Sequence, residues 1–177
     1  DAAARSEAAG AFHHGRHGTT HYELGGRPAP RTVVLIHGFS VPSFIWDPTF
    51  AALTDARRRV LRYDLFGRGY SDRPLHNYDL QLYLDQLLDL LNGLGCTEVD
   101  LVGLSMGGPI AAAFTVTNPD RVRRIALIGP SGTKAVALGP LYTLAALPGI
   151  GDALFALLGN EQMLTSVARD FFDPAYL

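Results

Sequence analysis

The chain has 177 residues, of which 47% are apolar and 18% are charged, and its formal net charge is −2. This length and composition predict a folded globular protein with a sizeable core, which excludes a chain disordered throughout and a strongly basic nucleic-acid-binding protein. The single cysteine, Cys96, excludes an intrachain disulfide and a cysteine-rich metal site.

Residues 1–18 are rich in alanine, glycine and histidine and show no periodicity, which predicts a loose N-terminal segment. His13, His14 and His17 are spaced as metal ligands can be, but no carboxylate or cysteine stands beside them, so a solvated tail is favoured. No secretory signal opens the chain. We therefore expect a cytoplasmic protein, with secretion followed by removal of a signal as the alternative.

Four runs of β-branched and aliphatic residues predict strands, the first of them buried on both faces, and a weaker alternating run predicts a fifth. The weak run covers residues 19–24, and the strong runs are 32–36, 60–63, 98–104 and 122–128. Between them lie helical patterns at 43–53, 78–94 and 105–117, with Asn77 placed to cap the second. This alternation predicts an α/β fold with a mostly parallel sheet and helices on both faces.

Ser105 stands in the sequence Gly-Leu-Ser-Met-Gly, between a predicted strand and a predicted helix. A serine on such a sharp turn is exposed as a nucleophile, and Gly103 and Gly107 supply the room that the crowded backbone needs. The first amides of the following helix can stabilise an oxyanion. The alternative is a tight turn in which the serine only caps the helix.

The tripeptide His37-Gly38-Phe39 follows the first strong strand. Gly38 lets this loop fold close to the nucleophile, so that the Phe39 amide can be an oxyanion donor beside the Met106 amide. For the His37 ring we favour a structural role, because it precedes the donor and has no need to touch the substrate.

The loop from Asp64 to Ser71 contains Gly67 and Gly69 and superficially resembles a phosphate-binding glycine loop. The third glycine of that motif is missing and no helix begins there, which argues against dinucleotide binding. We expect a structural loop beside the active site, ordered by backbone hydrogen bonds to Asp64.

These motifs, with the run Asn-Pro-Asp-Arg-Val at 118–122, resemble the α/β-hydrolase superfamily over residues 22–132, and most of all its small capped esterases, lipases and carbon–carbon bond hydrolases. The resemblance implies a serine hydrolase of carboxylic esters in which Ser105 forms an acyl-enzyme and the Phe39 and Met106 amides hold the oxyanion. It implies no metal and no organic cofactor. Relatives that dehalogenate alkanes or open epoxides carry aspartate at the nucleophile position, and Ser105 argues against both activities. A carbon–carbon bond hydrolase or a cofactor-free haloperoxidase remains an alternative.

The remainder of a catalytic triad is missing from its usual positions. In this fold the acid and then the histidine follow the serine, yet all six histidines precede Ser105. We therefore interpret residues 19–132 as the N-terminal part of the core and expect a C-terminal remainder of the same protein to supply the base and the acid. On this interpretation the chain alone is nearly inactive. A non-catalytic binding protein is one alternative, and recruitment of His76 as the base is another.

Residues 133–177 are predicted to begin a helical cap. The apolar stretch 135–158 is divided by Gly-Pro and Pro-Gly pairs into pieces too short to span a membrane, so no transmembrane segment is expected. Its leucines are predicted either to face an acyl substrate or to form ordinary core. The expected partner is a small ester or acyl compound, not a nucleic acid.

Overall fold

A computed structural model of the protein describes residues 5–6 and 8–132. The described strands are β1 (Ala11–Gly15), β2 (Gly18–Gly25), β3 (Arg31–Ile36), β4 (Arg59–Tyr63), β5 (Glu98–Leu104) and β6 (Val122–Ile128). They form a six-stranded sheet in the order β1-β2-β4-β3-β5-β6. Strands β1 and β2 run antiparallel to their neighbours, whereas β4, β3, β5 and β6 are mutually parallel. The predicted mostly parallel sheet and all five predicted strands are confirmed.

Strand β1 lies inside the segment that we predicted to be loose, so that prediction is wrong for residues 11–18. The strand forms a hairpin with β2, and the chain reverses at Gly18, whose φ of +145° disfavours other residues. The turn is also held from outside, because the Arg16 amide and guanidinium both donate to the Asp89 carboxylate. Because the turn is held by polar contacts, the sequence shows no apolar periodicity there from which the strand could be predicted.

His14 and His17 are hydrogen-bonded within the protein, so the prediction of a solvated tail is wrong for them. His14 Nδ1 lies 3.0 Å from Thr19 Oγ1, and His17 Nε2 lies 2.9 Å from an Asp85 carboxylate oxygen. In the part of the chain that the structure describes, no group of three or more histidine, cysteine or acidic residues could hold a metal ion.

Three α-helices connect the strands: α1 (Asp47–Asp55), which follows a 3₁₀ turn, α2 (Leu80–Gly93) and α3 (Gly107–Thr117). All three predicted helices are confirmed, with later starts. The predicted cap at Asn77 is wrong, because the Asp79 side chain accepts a hydrogen bond from the Leu82 amide and so caps α2. None of the described helices is long and apolar enough to cross a membrane.

Helices cover both faces of the sheet, as the alternation predicted. On one face α2 and α3 pack on Val34 and Ile36, which belong to the larger hydrophobic core. On the other face Leu35 packs with Trp46 and with side chains of α1. Each apolar side chain that is fully buried in this way contributes about 1.5–3 kcal/mol.

The carboxyl ends of three parallel strands meet at one edge of the sheet. Ile36, the last residue of β3, is in register with Tyr63 at the end of β4 and with Gly103 near the end of β5. Because ligands bind at the carboxyl ends of strands in open α/β sheets, this edge is where the predicted site residues come together. The predicted cap, residues 133–177, and its leucines lie outside the described residues.

Candidate active site

Ser105 occupies a strained turn between β5 and α3, with a φ of +50°. A non-glycine residue in this left-handed region costs about 1–3 kcal/mol, so the surrounding bonds must hold it there. Its amide donates to the Ile128 carbonyl at 3.0 Å, and its carbonyl accepts from the Gly108 and Ser131 amides at 3.0 and 3.1 Å. The end of β6 and the loop after it therefore fix the turn.

Three glycines allow the backbone to pack closely around Ser105. A Cβ atom on Gly103 would overlap the Gly107 carbonyl, and one on Gly107 would overlap the Ile36 carbonyl. A Cβ on Gly38 would lie 3.1 Å from the Ser105 Cβ, which shows how near the two loops are. The structure thus places all three glycines next to the predicted nucleophile, where only small residues fit.

The His37 ring is fully buried and both of its nitrogens have backbone partners. The Leu65 amide donates to Nε2 at 2.9 Å, so Nδ1 carries the proton and donates to the Gly38 carbonyl at 2.7 Å. Burial lowers the pKa of His37 to about 4, which keeps the ring neutral at physiological pH. A ring held in this way supports the loop and is not free to act as the base for Ser105.

Side chains hold two consecutive peptides of this loop, the one between Gly38 and Phe39 and the one that follows Phe39. In a trans peptide the carbonyl and the N–H point in opposite directions, so the bond from His37 to the Gly38 carbonyl directs the Phe39 N–H away from His37. At the second peptide Arg68 Nε donates to the Phe39 carbonyl at 2.7 Å, and its guanidinium lies 4.4 Å from the centre of the Phe39 ring. The predicted oxyanion donor therefore sits on an ordered loop.

Sequence analysis missed Arg68 as a residue of this site. It stands between two glycines of a loop whose sequence indicates only a turn, and its partner Phe39 is 29 positions away. No local pattern marks such a contact.

Asp64 orders the glycine loop, as predicted, and does so from a buried position. Its carboxylate accepts from the Ser43 amide at 2.8 Å, from the Tyr70 amide at 3.0 Å and from His21 Nδ1 at 2.9 Å. Burial acts to raise the pKa of Asp64, but the hydrogen bonds from His21 and from these amides outweigh it and lower the pKa to about 2. Asp64 is therefore ionised and turned into the protein.

His21 is the charged partner of Asp64. Its ring is buried, and Nε2 lies 2.6 Å from the Ala9 carbonyl. Burial opposes protonation, yet the hydrogen bond with Asp64 and the Ala9 carbonyl outweigh it and raise the pKa of His21. The two side chains form a buried ion pair that joins β2 to the glycine loop.

No histidine among the described residues is hydrogen-bonded to the Ser105 hydroxyl. His21 and His37 are committed to the partners given above. The ring of His76 lies edge-on to His17, with 5.0 Å between centroids, so the structure gives no support to His76 as a replacement base.

A cavity of about 420 Å³, here called the site cavity, lies beside the turn and is lined by Phe39, Gly67, Arg68, Arg73, Tyr78, Tyr83 and Met106. Phe39 and Met106, the two predicted oxyanion residues, thus share one cavity. Met106 also stands at the N-terminus of α3, where helix amides lack intrahelical partners.

A mostly parallel sheet with a strained serine between strand and helix is the architecture that defines the α/β hydrolases. A family model described as the alpha/beta hydrolase fold matches residues 31–171, and the chain belongs to this family.

The proteins that this chain resembles include enzymes with different names and an uncharacterized protein. 2-Hydroxy-6-oxo-2,4-heptadienoate hydrolase from Pseudomonas putida is 35% identical over 150 residues, which are 81% of this chain and 49% of that protein. An uncharacterized protein of Mycobacterium tuberculosis is 36% identical over 136 residues, or 76% of this chain and 39% of that protein. The crystal structure of the enol-lactonase from Burkholderia xenovorans LB400 is similar with a TM-score of 0.68 and 26% identity, over 92% of this chain and 67% of that one. The chain spans less than half the length of these two curated relatives.

Proposed function

We propose that the chain carries the nucleophile and the oxyanion hole of a serine hydrolase that acts on small carboxylic esters. The observation that carries this proposal is the strained φ of Ser105 at the carboxyl end of β5. Such strain is kept only where neighbouring structure maintains it, and it clusters at catalytic residues. A serine that merely capped a helix would have no need of a left-handed conformation.

In the proposed reaction the Ser105 hydroxyl attacks the acyl carbon, and a histidine of a C-terminal remainder accepts its proton. The Phe39 and Met106 amides stabilise the negative charge that develops on the carbonyl oxygen. The histidine then protonates the leaving alcohol, and water, activated by the same histidine, releases the acid from the acyl-enzyme. A carboxylate of the remainder would orient the histidine. No step of this scheme requires a metal or an organic cofactor.

A second candidate is hydrolysis of a carbon–carbon bond next to a carbonyl group. The observation that favours it is the similarity to the heptadienoate hydrolase of Pseudomonas putida. Ser105 and the two amides would serve this reaction as well, because it also places negative charge on a carbonyl oxygen. The two candidates differ in the leaving group, which is an alcohol in one case and a carbon acid in the other.

The proposal is tested by covalent labelling of the complete protein with a fluorophosphonate, followed by peptide mass spectrometry. We expect one adduct, on Ser105, because only an activated serine displaces fluoride at neutral pH. Heat-denatured protein is the control and should not react. An adduct on another serine, or none on the native protein, would contradict the assignment of Ser105.

With an uncharged substrate such as 4-nitrophenyl acetate, Arg68→Met is expected to lower kcat by about tenfold with little change in KM, because the charged hydrogen bond that holds the Phe39 carbonyl is lost. We place Arg68 as a positioning residue, since it acts on the oxyanion loop through Phe39. Arg68→Lys keeps one donor and should recover part of kcat. A fall confined to KM, or equal kcat in both variants, would show that Arg68 does not position the loop.

A further inference from the structure

Two arginines, Arg68 and Arg73, line the site cavity, and no acidic residue is among the residues that line it. Arg68 commits Nε to the Phe39 carbonyl, and its terminal nitrogens have no hydrogen-bond partner among the described residues. Arg73 has neither a hydrogen bond nor an ion pair within the same part of the chain, and it is exposed. The positive charge of the cavity is therefore not neutralised by described residues of the protein itself.

The acidic residues nearest in sequence are bonded elsewhere. Asp72, which precedes Arg73, pairs with Arg5 and accepts from the Thr19 amide. Asp64 is turned inward to His21. Several arginines outside the cavity do have carboxylate partners: Arg5, Arg16, Arg31 and Arg62. Other exposed arginines, such as Arg58, also lack a carboxylate partner among the described residues, so the distinguishing feature of Arg68 and Arg73 is that both line one cavity.

The other walls of the cavity suit an organic molecule and not a bare ion. Phe39 and Met106 offer apolar surface, while Tyr78 and Tyr83 offer aromatic faces with hydroxyl donors. Burial raises the pKa of Tyr83, so its phenol stays protonated and can donate a hydrogen bond. A cavity lined by apolar residues together with arginines and tyrosines suits a short carbon chain that ends in a carboxylate.

We infer that the site cavity binds a carboxylate group of the substrate, with Arg73 as its main ligand, so that the preferred substrates are monoesters of dicarboxylic acids or equivalent anionic acyl compounds. This inference rests on the proposed function of Ser105 and adds the charge class of the substrate. Arg73 is a specificity residue here, because it would contact a part of the substrate that does not react.

The test compares two 4-nitrophenyl esters that differ only at the far end of the acyl chain, the monoester of adipic acid and the corresponding terminal amide. The complete protein should prefer the acid, measured as the ratio of the two kcat/KM values. Arg73→Gln should lower this ratio by about fivefold, since an exposed charge pair contributes no more than about 1 kcal/mol. Arg73→Lys should retain most of it. The preference should also decline as NaCl is added, because salt screens exposed charges.

Arg58→Gln is the matched control, because Arg58 is exposed, lies outside the site cavity and carries the same charge. It should leave the ratio unchanged. If both esters are hydrolysed but the ratio is the same in the parent protein and in Arg73→Gln, the carboxylate site is wrong and the proposed function stands.

If no ester is hydrolysed, the proposed function is wrong. The carboxylate site is then tested by a binding measurement that does not depend on turnover. Adipic acid monoamide should bind Ser105→Ala protein in a calorimetric titration, and Arg73→Gln introduced into that protein should weaken the binding about fivefold. Equal affinities in the two proteins would overturn the carboxylate site.

Discussion

Ser105→Ala in the complete protein is expected to lower kcat for an activated ester by at least about 10⁴-fold, as removal of the nucleophile does in other serine hydrolases. The reason is that the variant lacks the hydroxyl that we propose attacks the acyl carbon. The fold should survive the change, because the bonds that hold the turn come from the backbone of residue 105 and not from its hydroxyl. The measurement is hydrolysis of 4-nitrophenyl acetate together with thermal unfolding.

Ser105→Gly separates catalysis from strain in the same experiment. Glycine adopts a φ of +50° without the steric cost that a Cβ brings, so this variant should be inactive yet at least as stable as the parent, with a gain of up to about 1 kcal/mol. Ser131→Ala is the control serine, because its side chain is exposed and only its amide reaches Ser105. Turnover that persists in Ser105→Ala would assign the chemistry to another residue.

The turn at Ser105 and the strands around it could be predicted because their signals are local. A strand that is buried on both faces appears in the sequence as a short run of aliphatic residues. The turn at Ser105 needs glycines at fixed positions on either side of the serine. Residues 98–104 and 122–128 are strands with the predicted bounds, although β6 is exposed over residues 123–128. In the same way, Gly38, which follows β3, indicated a loop that approaches the nucleophile.

What could not be predicted depends on partners far apart in the sequence. Strand β1 pairs with β2, but its turn is held by Asp89, 73 positions from Arg16. The Arg68 contact with Phe39 and the His21 contact with Asp64 are also invisible to periodicity. Polar contacts of this kind carry no apolar signature, so sequence patterns describe the core of the site and leave out the residues that hold it in place.

Asp64→Ala is expected to lower the free energy of unfolding by about 3–5 kcal/mol, because it leaves a buried His21 without its counter-ion. The Ser43 and Tyr70 amides lose their acceptor in the same variant. Asp64→Asn keeps an acceptor oxygen and the side-chain volume, so it should lower the free energy of unfolding by less than Asp64→Ala does. Asp55→Ala is the control, since Asp55 is exposed at the end of α1, and should stay within about 0.5 kcal/mol of the parent in urea titrations at pH 7.

The same ion pair should shape the dependence of stability on pH. The native pKa of Asp64, about 2, is below the ordinary value of 3.8, so the stability from its ionised form is present above about pH 4 and is lost as the pH falls toward 2. The native pKa of His21 is raised, so its contribution is complete below about pH 6.5 and is lost as the pH rises through the native value. Urea midpoints should therefore be highest between these limits, and the acid decline should be shallower in Asp64→Asn. An acid decline of equal steepness in Asp64→Asn would show that other carboxylates govern it and that the Asp64–His21 pair does not stabilise the loop through its charge.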